Sequence, residues 1–153
     1  MDIEFHDNSA AVRAALKRAA LKTLEMCGGI GESAVKQRLT DNGSVDTGLL
    51  RNSITYALGG QEAHVQTYQS MRKVGVTVDG QRTQQYRTGS YAGTAPEDDP
   101  GQMSVYIGTN VEYAPHLELG TVKMNAKPYL RPAIEACSQL FERAYALCFR
   151  DLK

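Results

Sequence analysis

Neither sign of charge is in excess, since seventeen Lys and Arg stand against seventeen Asp and Glu. That balance argues against a general nucleic-acid binder, whose phosphate contacts need surplus Lys and Arg. No apolar run approaches the roughly 20 residues of a membrane span. The opening MDIEFHDNSA lacks the charged start and apolar stretch of a signal peptide. The expectation is a soluble chain made in the cytoplasm. Cysteine is scarce: Cys27, Cys137 and Cys148 are an odd number without a CxxC. Cys137 and Cys148 on one helix would stand roughly 16 Å apart, too far for a disulfide. All three fall on apolar helical stripes, which predicts buried free thiols.

Signatures of catalysis are also missing. There is no GxxxxGK[ST], no GxSxG and no HExxH. Gly29-Ile30-Gly31-Glu32-Ser33-Ala34 fits a loose G-x-G-x-x-A, but a helical pattern precedes it where a dinucleotide site needs a strand. His116 has Glu112 and Glu118 nearby, and a solvated polar face is preferred to a metal cluster. Asp46 is a conceivable general base, and capping the Thr47-Gly48 turn is the preferred role. Asp98 and Asp99 are adjacent loop carboxylates whose side chains diverge, so they read as solvated. The residue chemistry predicts neither an enzyme nor a bound cofactor or metal.

What is present fits one domain: 153 residues, 42% of them hydrophobic, enough for a core. A long helix is expected over about 9–39, capped by Asp7, Asn8 or Ser9. Its stripe runs Val12, Leu16, Ala20, Leu24, Cys27, Gly31, Val35, Leu39. Arg13, Lys17, Arg18, Lys22, Lys36 and Arg38 occupy the other face. Gly28, Gly29 and Gly31 sit inside the pattern at about 1 kcal/mol each against Ala. They imply a kink, a close-packed neighbour, or a break into two helices. Asp41-Asn42-Gly43-Ser44 ends the helix. Ser53–Leu58 and Ser104–Gly108 alternate as strands do. Pro115 starts a helical turn that Gly120 stops. Pro132 opens a last helix over about 132–149, with a stripe of Ile134, Cys137, Phe141, Ala144, Tyr145 and Cys148.

The segment 59–103 is the least regular. His64–Tyr68 and Val74–Val78 are candidate strands, and Asp79-Gly80 signals a hairpin into Gln81–Tyr86. Between Ser70 and Tyr91, Arg72, Lys73, Arg82 and Arg87 outweigh Asp79 by a net +3, and Glu97, Asp98 and Asp99 then add −3. With Tyr68, Tyr86 and Tyr91 this reads first as a solvated loop, next as a protein contact, then as a DNA-channel lining.

Two blocks carry a more specific pattern. One is Val45-Asp46-Thr47-Gly48-Leu49-Leu50-Arg51-Asn52-Ser53-Ile54. The other runs from Ile107-Gly108-Thr109 through Tyr113-Ala114, Glu118-Leu119-Gly120-Thr121 and Pro128-Tyr129-Leu130-Arg131-Pro132-Ala133. Together they resemble the minor structural proteins of long-tailed phages that act at the head–tail junction, called neck, tail-completion or head–tail joining proteins. The likeness spans about 70 residues in two blocks, and segment 59–103 lies outside it. Gly48, Gly108 and Gly120 would mark sharp turns. Thr47 and Thr121 would bond local backbone groups. Tyr113 would anchor a turn on the sheet. Arg51 and Arg131 would form forks to Glu112 or Glu118.

The resemblance implies an α+β fold, with a small, mainly antiparallel sheet packed against long N-terminal and C-terminal helices and a central loop or hairpin insertion. It further implies a virion protein that forms a closed ring, with six copies to match the tail tube. The ring interface would use the sheet edge and the polar helix face. Its partners would be connector or head-completion proteins and tail-tube or tail-terminator proteins. Arg72, Lys73, Arg82 and Arg87 would face the DNA channel or a neighbouring ring. The alternative is a non-virion cytoplasmic protein-binding module that uses loop 61–103.

Overall fold

The computed structural model describes residues 8–45, 48–59, 66–78, 81–93 and 103–150, with 66–78 and 81–93 described by their backbone. The order is α1 (Ser9–Asp41), α2 (Leu49–Ser53), β1 (Thr55–Leu58), β2 (Gln66–Val78), β3 (Gln81–Gly93), β4 (Val105–Gly108), α3 (Ala114–Leu119), α4 (Leu130–Ala136) and α5 (Ser138–Phe149). The fold is α+β, with helices packed on a small antiparallel sheet. β1 pairs with β4 from Thr55↔Gly108 to Leu58↔Val105. β2 pairs with β3 from Gln66↔Gly93 to Val78↔Gln81.

Helix α1 is continuous, so the break into two helices does not occur. Its three central glycines divide by environment. A Cβ at Gly28 would run into the Tyr56 ring of β1, and one at Gly31 into the Ile107 side chain of β4. Gly29 faces open space. Two glycines thus let the sheet lie close on the helix, at the helix-propensity cost noted above. The buried stripe is Ala19, Thr23, Gly28, Gly31, Val35 and Leu39, displaced in its first half from the expected one. Val12 and Leu16 are 55% and 44% exposed, because among the described residues the other elements pack on later turns of α1. Thr23 tolerates burial because its hydroxyl donates to the Ala19 carbonyl at 2.8 Å. Asn8 is the N-cap, and its side chain makes no capping bond.

Val35 and Leu39 meet Leu50, Ile54, Val111, Ala114, Tyr129 and Ala133 in the core. It sits at the C-terminal end of α1, where both sequence blocks converge. The expected last helix is two helices. α4 starts at Leu130, two residues before Pro132, and Cys137 separates it from α5. There the Cys137 amide donates to Ile134 O at 3.0 Å, a tight i to i+3 turn. In α5, Ala144 is buried while Tyr145 is exposed and stacks on Phe149, with ring centroids 4.4 Å apart. Cys137 is buried, and Cys27 and Cys148 are half-buried, so the expectation of three buried free thiols holds only for the first. The Cys148 thiol lies 3.5 Å from Met26 Sδ, joining α5 to α1.

The segment expected to be irregular contains a long ladder. β2 and β3 each run 13 residues. The Val78↔Gln81 pairing leaves two residues, 79 and 80, for the connection, as Asp79-Gly80 suggests. Just outside the hairpin, the Gly59 amide donates to Ser104 O at 2.9 Å. Among the described residues, no helix is long and apolar enough to cross a membrane.

Candidate functional site

The described motif positions form one assembly at the C-terminal end of α1. Gly48 is the N-cap of α2, with φ +75°, in the left-handed region that glycine enters without strain. α2 replaces the expected direct lead-in to a strand, and carries Arg51 at its surface. Ser53, at its end, donates to Leu50 O at 2.7 Å and shares a 2.5 Å hydroxyl–hydroxyl bond with Thr109. Thr109 in turn accepts from the Val111 amide at 3.2 Å. One hydroxyl pair therefore ties the first block to the second. Asn42 adds another tie, donating through Nδ2 to Pro128 O at 3.1 Å.

Glu118 organises the rest. Oε2 accepts from the amides of Tyr129 at 2.7 Å and Leu130 at 2.9 Å, and Oε1 from Arg131 at 3.1 Å. A helix start leaves four amides unpaired. Here one carboxylate takes three, and the next position is Pro132, which has no amide. The negative charge also complements the helix dipole. Burial by itself pushes the Glu118 carboxyl up. The amides of Leu130, Tyr129 and Arg131, with the Arg131 charge, outweigh it and hold the group below its ordinary value. Tyr129 is buried at 2% exposure. Desolvation first, then the Glu118 charge and Tyr113, push its phenol up to about 12.

Several expected roles change. Neither arginine forms a fork to Glu112 or Glu118, because the Glu118 oxygens are committed to amides and Arg131 acts on them by charge. Gly108 ends β4 with room for a Cβ and no positive φ. Gly120 does turn sharply, with φ +79°, and a Cβ there would come within 2.8 Å of Ala126 N. Thr121 bridges Met124, and its hydroxyl accepts from the Lys123 amide at 3.3 Å. Tyr113 is not buried on the sheet. It caps α3 and lines a cleft of about 320 Å³ with Leu39, Val45, Leu49 and Leu117. The buried aromatic anchor is Tyr129, which the sequence did not single out. A Tyr framed by Pro128 and Leu130 has no periodicity to reveal it. Asp46, Thr47, Asp98 and Asp99 lie outside the described residues.

The four basic candidates lie on the hairpin, and register divides them. Arg72 is opposite Arg87, and Tyr68 opposite Tyr91, on one face. Lys73 is opposite Tyr86 and Arg82 opposite Thr77, on the other. They therefore do not share one face of the ribbon. Among the described residues, no group of three His, Cys, Asp or Glu comes together as a metal site. Comparison with family models, curated proteins and solved structures returned no match.

Proposed function

We propose that this chain is a structural virion protein of a long-tailed phage or prophage, acting at the head–tail junction as a homo-oligomeric ring. The supporting observation is how the two motif blocks use their polar residues. Ser53 and Thr109 bond each other across 56 positions, and Glu118 caps the helix that starts at Leu130. These groups hold backbone in place, which suits assembly work. In this reading the ring meets the connector on one side and the tail on the other, and six copies match the tail tube.

The test is electron microscopy of particles made with the gene deleted. DNA-filled heads beside separate tails, or tails with defective ends, are expected. Normal joined, infectious particles would remove the virion reading. A binding module that uses the hairpin region would then replace it.

A further inference from the structure

We propose that the turn over 119–127 is a docking knob for a second copy of this chain, seated in that copy's groove between β4 and α4. Turn tips favour Gly, Asn, Asp and Ser. This one exposes Leu119 at 76%, Val122 at 106% and Met124 at 39%. Scattered surface hydrophobics need no account, but three on a single turn form a patch. The turn is also built to hold its shape. Thr121 and Met124 exchange backbone bonds of 2.8 and 3.2 Å, and the Lys127 amide donates to Leu117 O at 2.8 Å. Gly120, at φ +79°, sets the chain into it. An apolar tip fixed in advance loses little entropy on docking.

The chain itself carries a receptor for such a tip. Val105 and Ile107 of β4, with Leu130 and Ile134 of α4, line an open groove of about 420 Å³. All four are half-buried, so the floor is apolar and still reachable. Val122 is fully exposed and does not line this groove, so the turn does not fill the groove of its own chain. Charge matches as well. The turn carries Lys123 and Lys127 and no acid. The groove has Glu135 at its edge, while Glu118 and Arg131 on its wall offset each other. Among the described residues, Lys123, Lys127 and Glu135 make no ion pair. The contact joins two different patches, the turn of one copy and the groove of the next. Head-to-tail contacts of that kind can close into a ring.

The inference rests on the ring reading and names its contact, on this turn and not on the polar face of α1. Its test uses the purified full chain, so it can fail apart from the experiment on particles. Self-association is followed by sedimentation velocity and native mass spectrometry over a concentration series. V122D drives a carboxylate into the apolar groove and is expected to weaken association by about tenfold or more. K123E and E135K each set like charges together at the rim and are expected to weaken it about threefold. An equimolar mixture of K123E and E135K is expected to recover association as mixed assemblies, because each tip then meets the opposite charge on the other chain. K17E, on the polar face of α1, should change nothing.

Circular dichroism checks that each variant is folded. Should V122D lose its fold, V122S makes the same comparison. A parent assembly that survives V122D and V122S would overturn this contact and leave the ring reading standing. An assembly lost with K17E instead would move the contact to α1. A parent that stays monomeric at every concentration, or a mixture that fails to recover, would overturn the proposal as well.

Discussion

Glu118 shows how much one side chain does here. It replaces three missing helical acceptors at the start of α4 and joins that helix to α3. Glu118→Gln keeps the shape but loses the charge, and Glu118→Ala leaves the amides of Tyr129, Leu130 and Arg131 without their acceptor. Unfolding in urea at neutral pH is expected to show a loss of about 1 kcal/mol for the first and about 2–3 kcal/mol for the second. The pH dependence has a definite sign. The folded carboxyl lies below its ordinary value of 4.5, so its contribution is complete above that pH. It is lost as pH falls through the depressed folded value. Glu118→Gln should flatten this part of the acid limb.

Tyr129 acts at the other end of the scale. Its folded phenol is raised from 10 to about 12, so its contribution is present below pH 10 and lost as pH rises toward 12. Tyr129→Phe should remove that alkaline loss, read from melting temperatures at pH 9 through 12.

These residues also mark what a sequence can show. Gly48 and Gly120 were legible as sharp turns, because a glycine in a turn motif has a backbone reason to be there. Glu118 was noticed for the wrong partner. Charge pairing directs attention to Arg51 and Arg131, whereas backbone amides have no letter of their own.

At the scale of elements, α1 is the clearest case. Its length and C-terminal stripe followed from spacing, with Gly31, Val35 and Leu39 buried as expected. Its first turns did not, since periodicity shows that a helix has an apolar face and not where a partner stops covering it. The glycines give a sign test. Gly29→Ala meets nothing within 4 Å and should stabilise by up to about 1 kcal/mol through helix propensity. Gly28→Ala gains the same propensity but drives a methyl into the Tyr56 ring. A net loss of about 1–3 kcal/mol is expected from overpacking. Thermal melts of the two variants side by side distinguish close packing from simple tolerance of glycine.

The hairpin was legible at Asp79-Gly80 and in the strands expected over Val74–Val78 and Gln81–Tyr86, but not over its full length. β2 and β3 are mostly Gln, Thr, Ser, Tyr and basic residues. Where polar residues fill most positions of a strand, little is left of the alternation by which it is recognised. The bend at Cys137 was equally hidden, because the stripe continues through it.

At the scale of the molecule, the core is assembled from both halves of the chain. The core gathers Leu39 and Ile54 from the first half with Val111 and Tyr129 from the second. Val12→Ala, at a position 55% exposed and outside this core, should therefore leave the melting temperature within a few degrees of the parent. Replacing Ile54 by Ala, 1% exposed at the centre, should cost about 2–5 kcal/mol.

The bond from the Gly59 amide to Ser104 O fastens together the two places where the hairpin leaves and rejoins the body. The chain between those two places therefore leaves and rejoins the body side by side. Doubling the length of such a loop costs only about 0.6 kcal/mol in closure entropy. Its length and its surface can therefore drift while the body stays in register.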